Sequence, residues 1–398
     1  MSESRSAAIR KFLIPILLFV AILMIIWNVF IIKKNRKIRY YRSLPSIEKR
    51  SQYFQKLYGP ITTVNEDSKI SDALNSNGKI YLQKDITIQY DGRDTNKIFY
   101  GVTDLDVDGM GCIYAALYNS TCIKKFDPLG NYVRTIGKNG KGPGEFLGPL
   151  ILSVVGDSLY VFDWGNMRIG IFDTSGTYCS AVRLSQSIPV PPQDFTYDYR
   201  KNIFSLSFYD QKTKKVIHDF DRNGKYIHSF GDAIPAKGTI SYLDFELTRR
   251  NSCGELFIWK DRLYYSQRNP YEIREYSKNG NLRKVIFRKN KFMSPDRIEV
   301  LGENSFRSKF PSVSSLIAVS DSLLMNCVAV GKEIEYSYKT IVDFFRPNGQ
   351  LYFSMGLRNR IAFLSFHNEK LYGLEVVPST GEYAVVVYSL RRSNQARP

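Results

Sequence analysis

Apolar and polar positions alternate in short bursts along most of the chain, and the rhythm is clearest between residues 151 and 184. Apolar runs at 151–155 and 159–162 flank Gly156-Asp157, a third at 168–172 follows Gly165-Asn166, and a fourth at 178–184 follows the turn Asp173–Gly176. Bursts of this length read as β-strands, because successive side chains of a strand point to opposite faces. Gly, Asn and Asp tolerate the positive φ angles of tight hairpins, so the run predicts a four-stranded antiparallel meander.

A meander of four strands cannot cover both its faces, so it should recur. A hydrophobic pair opening the second strand, usually ending in an aromatic, returns at Ile113-Tyr114, Leu159-Tyr160, Ile203-Phe204, Leu263-Tyr264, Leu323-Leu324 and Leu371-Tyr372. Its spacings are 46, 44, 60, 60 and 48 residues. A second marker keeps phase, an aromatic residue followed by a turn ending in glycine, at Phe126–Gly130, Phe172–Gly176, Phe220–Gly224, Tyr276–Gly280 and Phe345–Gly349. Six such units predict an all-β fold, a six-bladed β-propeller with four-stranded blades. The last unit, with strands expected near 361–366, 370–376 and 382–390, is one strand short. The run 78–90, read as a strand pair, is expected to supply the missing strand and close the ring, which removes two free sheet edges.

The loop Gly142-Pro-Gly-Glu-Phe146, followed by Asp163, Gly165-Asn166, Arg168-Ile169 and Phe172-Asp173, resembles an NHL repeat. The chain is also similar to six-bladed NHL-like propeller proteins of the Bacteroidetes type, with the likeness concentrated over roughly residues 110–184. The resemblance implies a funnel used for binding with no single reaction attached, since propellers host many unrelated functions.

Ahead of the propeller, Phe12–Ile32 is an apolar run of 21 positions broken only by Pro15 and Asn28. Such a run spans the roughly 30 Å hydrocarbon core of a bilayer and exceeds the apolar region of a secretory signal. It predicts one transmembrane helix over 12–32, after a basic tail at 1–11 and before a basic juxtamembrane linker at 33–60, with the propeller at 61–390 and a polar tail at 391–398. Within the linker, an amphipathic helix over Ile47–Tyr58 is the alternative to the plain linker preferred here. The run ends in Ile-Ile-Lys-Lys with no cysteine near it, which leaves signal peptidase and lipid attachment without a substrate. Lys and Arg number three before the run and six just after it, and by that bias alone the propeller is cytoplasmic. The resemblance to exported propellers implies the other side. The reading adopted is a single-pass protein of the bacterial inner membrane with a periplasmic propeller.

Charge changes the picture little. Of a formal +18, residues 1–42 carry +8, and basic residues beside a membrane are attracted to anionic headgroups without any polynucleotide. The remainder is scattered over turns and exposed strands, which makes nucleic acid an unlikely partner. Five cysteines without a Cys-x-x-Cys pair and only three histidines offer no zinc site. The cysteines are read as free thiols, the alternative being a Cys112–Cys122 bridge across the ends of one hairpin in an oxidising compartment, and the repeated turn residues Asp127, Asp173 and Asp221 as Asx-type turn formers. No cofactor is expected.

Binding candidates are turn residues of the types that dominate interaction hot spots. They are Glu145 and Phe146 of the glycine-rich loop, Trp164, Asn166 and Arg168 of the next turn, and Trp259, Tyr265, Gln267 and Arg268 of the fourth unit. The function expected is a membrane-anchored module binding or scaffolding a protein, peptide or glycan at the cell envelope. The alternative, implied by lactonase-type six-bladed propellers, is a hydrolase that holds a divalent cation with Glu, Asn and Asp.

Overall fold

A computed structural model describes residues 47–58, 60–66, 70–74, 80–233, 254–267, 271–289, 298–300, 306–308, 312–330 and 338–392, with 245, 248, 249 and 252. The chain enters through a helix, α1 (Ile47–Tyr58), and three strands, β1 (Thr62–Asn65), β2 (Ile70–Asp72) and β3 (Ile80–Ile88). Blade 1 comprises β4 (Val102–Val107), β5 (Ile113–Leu117), β6 (Cys122–Phe126) and β7 (Tyr132–Ile136). Blade 2 comprises β8 (Pro149–Val155), β9 (Ser158–Asp163), β10 (Arg168–Asp173) and β11 (Tyr178–Arg183). Blade 3 follows with β12 (Asp194–Asp198), β13 (Ile203–Ser207), β14 (Lys215–Asp221) and β15 (Tyr226–Asp232). Blade 4 is built from β16 (Gly254–Trp259), β17 (Arg262–Gln267), β18 (Glu272–Tyr276) and β19 (Leu282–Arg288). After a small ribbon of β20 (Ile298–Val300) and β21 (Phe306–Ser308), blade 5 holds β22 (Ser312–Ser320), β23 (Leu323–Ala329), β24 (Thr340–Phe345) and β25 (Leu351–Leu357). Blade 6 ends the chain with β26 (Ile361–His367), β27 (Lys370–Val376) and β28 (Tyr383–Arg392).

Within each blade consecutive strands pair antiparallel in sequence order, as hairpin turns dictate. The apolar faces that no single meander can cover are buried between neighbours. Six hydrophobic clusters result, one for each pair of adjacent blades around the ring. Both sequence markers have a structural cause. The hydrophobic pair sits in the second strand of every blade, where Tyr114, Phe204, Tyr264, Leu324 and Tyr372 are buried. The turn glycines Gly130, Gly176, Gly224, Gly280 and Gly349 have φ between +74° and +93°. Each also abuts the outermost strand of the preceding blade, so that a Cβ on Gly224 would lie 2.1 Å from the carbonyl oxygen of Arg183. Blade 6 lacks this glycine because its outermost strand comes from the other end of the chain.

That strand is β3. It pairs antiparallel with β28 from Ile88↔Val385 to Ile80↔Arg392 and completes a four-stranded sheet. The strand pair expected over 78–90 is thus one nine-residue strand, and Arg391 and Arg392 extend β28 into the expected polar tail. The segment before β3 forms a belt on the rim. β1 adds in parallel to β19 and β2 in parallel to β25, so blades 4 and 5 have five strands. The linker expectation fails over Ile47–Tyr58, which is helical. Outward-facing Val285 and Phe287 of β19 need an apolar cover, and Phe54 of α1 supplies it with its ring 6.2 Å from that of Phe287.

The segments 1–46 and 393–398, including the transmembrane expectation at 12–32, lie outside the described residues. Among the described residues no helix is long and apolar enough to cross a membrane. Asp127, Asp173 and Asp221 do form Asx turns, accepting from the backbone N–H groups of Asn131, Thr177 and Lys225. Cys112, Cys122 and Cys179 carry free thiols, the thiol of Cys327 donates to the Ile361 carbonyl at 3.6 Å, and Cys253 lies outside the described residues.

Candidate functional site

The five candidates of blade 2 come together, but largely to hold one another. Asp163, fully buried at the end of β9, accepts from the N–H groups of Leu147 (3.1 Å) and Gly148 (2.9 Å) and from Asn166 Nδ2 (2.6 Å). Asn166 also donates to the Gly140 carbonyl at 3.0 Å. Arg168 donates to the carbonyls of Lys141 (3.3 Å), Gly142 (2.7 Å) and Glu145 (2.7 Å). The glycine-rich loop is therefore clamped from the neighbouring turn through backbone groups that secondary structure leaves unpaired. Glu145 closes the loop on itself by accepting from Gly142 N–H at 2.8 Å, and that bond, with Lys138 3.4 Å away, holds its carboxyl below the usual range. Phe146 is buried against Phe172 at 5.4 Å, in a space that Gly137 leaves by having no Cβ. Trp164 packs partly buried against the core between blades 2 and 3.

Arg168→Met should leave three carbonyls and the Asp163 carboxylate short of a partner, at a cost of about 2–4 kcal/mol. Arg168→Lys should not restore it, since an ammonium lacks the planar fork that reaches several carbonyls. Urea unfolding of the two variants checks this.

The four candidates of blade 4 do not converge. Trp259 ends the innermost strand on the opposite face, with Lys260 Nζ 5.0 Å above its ring. Tyr265 is buried and donates to the Ser252 carbonyl. Gln267, also buried, accepts from Arg274 Nη2 at 2.8 Å, beside the buried Arg274–Glu272 ion pair at 2.5 Å. Arg268 lies outside the described residues.

The first strands of all six blades line an axial channel, a cavity of about 490 Å³ toward the face where these strands end and about 440 Å³ toward the face where they begin. Asp104, Asp194 and Glu255 border both cavities and so mark the waist. The carboxylates stitch neighbouring blades at the axis. Asp104 accepts from Leu152 N–H at 2.9 Å, Asp106 from Val154 N–H at 2.8 Å, and Asp194 from Leu256 N–H at 2.7 Å. Burial pushes the carboxyls of Asp104 and Asp194 well up, reinforced at Asp194 by the charge of Glu255. Asp106 is raised for the same reason, with Val154 N–H, a 2.7 Å bond from Ser365 and nearby His367 opposing the shift. Among the described residues no three His, Cys, Asp or Glu side chains converge as a metal-holding group.

A structural likeness accompanies this geometry. A protein of Bacteroides fragilis described as exported superposes with a TM-score of 0.55 at 9% identity, over 83% of this chain and 99% of that one. A member of the DUF4221 family from Bacteroides vulgatus does so with a TM-score of 0.51 at 10% identity, over 79% and 99% of the two chains. This chain shares their six-bladed propeller fold. No protein-family model and no curated protein sequence matches it.

On the face of the propeller where the innermost strands begin, the channel mouth is bordered by Tyr383, Pro191, Pro192, Gln193 and Arg249. Tyr383 is 42% exposed and Tyr118 38%. Tyr118 sits on the turn between the second and third strands of blade 1, its ring against Gly148, which in turn accepts from Trp164 N–H at 2.9 Å. Blades 1, 2 and 6 thus each carry an aromatic at or beside the connection of their second and third strands, Tyr118 and Trp164 in the turn and Tyr383 at the start of β28. Sequence reading missed the channel carboxylates. A signal existed, since Asp104 and Asp194 each stand ten positions ahead of the strand-two aromatics Tyr114 and Phe204, on strands that otherwise read as buried.

Proposed function

We propose that the chain is a membrane-anchored, NHL-like binding module of the bacterial envelope, single-pass, with its propeller on the periplasmic side. Its ligand, a peptide, protein surface or glycan, docks on the face carrying Tyr118, Trp164 and Tyr383. The observation that carries this reading is that face: half-exposed Tyr383 borders a cavity of about 440 Å³ with Arg249 in its wall, and half-exposed Tyr118 stands on the turn of blade 1. Aromatic rings on rigid turns offer large contact area at little entropic cost, and they stack on sugar rings as readily as they seat side chains. The apolar run at 12–32 and the exported Bacteroides fragilis protein of the same fold support the envelope placement. No observation favours the hydrolase reading, because the axial carboxylates are engaged with backbone N–H groups.

Two measurements test it. In intact spheroplasts, added protease should digest the propeller while a cytoplasmic marker survives; protection of both would make it cytoplasmic and sink the envelope reading. Against labelled envelope oligosaccharides and peptides, the double variant Tyr118→Ala/Tyr383→Ala should lose roughly tenfold or more in affinity, the scale of truncated hot spots. Its Tm should not move, since both rings are substantially exposed. Cation-dependent turnover of a lactone panel would instead support the hydrolase.

A further inference from the structure

The hairpin turns on the face where the innermost strands end are sorted by charge. They join the first strand of a blade to the second and the third to the fourth, so the meander brings them all to one side of the ring. On blades 1, 2 and 6 these turns carry Asp127, Asp157, Asp173 and Glu369 and no Lys or Arg. On blades 3, 4 and 5 they carry Arg200 and Lys201, Arg222 and Lys225, Lys260, Lys278 and Arg346. The acids among them are outnumbered: the one carboxylate of Asp261 is shared by Arg200 at 2.9 Å and Lys278 at 3.3 Å. A second, independent feature of this corner is an aromatic ring under a cation on each of its three blades. Arg200 stands 5.6 Å from the Tyr199 ring, Lys260 5.0 Å from Trp259 and Arg346 5.0 Å from Tyr352. Two of these rings are open to solvent, Tyr199 at 59% and Tyr352 at 42% exposure.

We propose that this corner, the turns of blades 3, 4 and 5, rests on the headgroups of an anionic bilayer. The inference rests on the anchored reading above, though not on which side of the membrane the propeller occupies. The place where the chain joins the ring argues for a bilayer as the occupant. Phe54 seats α1 on the rim of blade 4, where it also borders Phe230 and Asp232 of blade 3. Lys49 and Lys56 of the same helix are exposed there. Residues 33–46 separate α1 from the apolar run at 12–32, and fourteen residues reach at most about 50 Å. The tether therefore meets the ring in its basic half.

The chemistry of the corner suits that surface. Lys and Arg are drawn to anionic headgroups over about a Debye length, roughly 10 Å at 0.1 M salt. Tyr and Trp favour the boundary between headgroups and acyl chains, where an apolar ring and a polar rim are both satisfied. A ring with a cation above it presents both at once. A polynucleotide would meet the same charge, but it gives no reason for the cations to share a side with the tether. The acidic turns of blades 1, 2 and 6 are repelled, so the ring tilts onto its basic corner. The opposite face, with Tyr118 and Tyr383, is then turned away from the bilayer and open to a ligand.

The test is hydrogen exchange, read by mass spectrometry, of the full-length chain in nanodiscs of phosphatidylcholine with and without phosphatidylglycerol. The turns 199–202, 221–225 and 277–281 are expected to exchange roughly threefold or more slowly in the anionic discs, and the turns 127–131 and 173–177 equally in both. About 0.5 M salt, where the screening length falls to about 4 Å, should erase the difference. The variant Arg222→Gln/Lys225→Gln/Lys278→Gln should erase it too, with Tm unchanged because all three side chains are exposed; each cation at such a surface is worth about a factor of five. Lys141→Gln/Lys212→Gln/Lys214→Gln, which removes the same charge from the opposite face, should leave it intact. Equal exchange in the two discs, equal slowing in neutral discs, or the same loss in both triple variants would overturn the proposal. A chain that does not stay with the discs would defeat the anchored reading by itself. Anionic vesicles added to that free chain then decide the corner by the same three turns, slowed if it binds and unchanged if it does not. Displacement from anionic discs by single-stranded RNA at equal phosphate concentration would reassign the corner to nucleic acid.

Discussion

A chain starting at residue 91, without β3, is expected to lose cooperative unfolding altogether, whereas a chain starting at residue 80, which keeps β3 but lacks α1, β1 and β2, should still fold with reduced stability. The difference lies in what each segment covers. β3 pairs with β28 over eight register positions and sinks Leu82 into the interface of blades 5 and 6 and Ile88 into that of blades 6 and 1. Ile80 and Ile86 pack against the same two clusters. A fully buried Leu or Ile is worth about 1.5–3 kcal/mol, so Leu82 and Ile88, with a smaller share from the partly buried Ile80 and Ile86, account for a large part of a typical total stability of about 5–15 kcal/mol. Removing β3 also bares the backbone edge of β28. The belt contributes less. Its main anchors are Phe54, Ala73 and Asn65, which donates to the carbonyls of Phe287 and Gly349 and accepts from Leu351 N–H. Thermal melts followed by circular dichroism, with a dye that reports exposed apolar surface, separate the two chains. A sharp transition in the shorter one would show that six blades hold together without a closing strand.

Asp343→Ala is expected to cost about 3–5 kcal/mol, as breaking a buried ion pair from one side does, while Arg288→Met should cost less. Arg288 Nε lies 3.4 Å from Asp343 Oδ2, and both side chains are fully buried. The guanidinium also donates to the carbonyls of Glu66 and Lys289 and to Ser354 Oγ, so it ties blade 4 to blade 5 and to the belt. The asymmetry is chemical. A guanidinium stays charged at any pH a protein survives, whereas a stranded carboxylate can take up a proton. Burial already pushes the Asp343 carboxyl up against the opposing pull of Arg288. In Arg288→Met that pull is gone, and the carboxyl titrates higher in the folded state than in the unfolded one. A carboxyl raised on folding binds more protons in the native state, so the variant is most stable below the unfolded value and weakens as pH rises toward the folded one. Tm measured from pH 5 to pH 8 should therefore fall for Arg288→Met and stay uniformly low for Asp343→Ala. Parallel profiles for the two would remove the asymmetry.

The rhythm of Gly, Asn and Asp turns between short apolar bursts was enough to place the strands of blade 2 within two residues of where they lie. The two markers were enough to count the blades, and the short last unit foretold closure by an N-terminal strand. These features are legible because hairpins are local: a positive φ at Gly176 or an apolar pair at Leu159-Tyr160 constrains its own few residues. The site was far less legible. Asn166 and Arg168 read as an exposed recognition pair, yet they spend their donors on carbonyls more than twenty positions earlier in the chain. Phe146, Tyr265 and Gln267 read as turn residues and lie in the interior.

The sequence by itself determined the class, the number of blades and the means of closure. Tertiary structure alone decided that α1 covers the rim of blade 4, that the glycine-rich loop is a clamped crossing, and that carboxyl groups from separate blades meet at one axis. Asp104 and Asp194 are ninety positions apart in the chain, and their shared environment exists only once the ring has closed. Periodicity reports which face a side chain takes within its own strand; it carries no information about which strand stands opposite, and burial, pairing and protonation all follow from that neighbour.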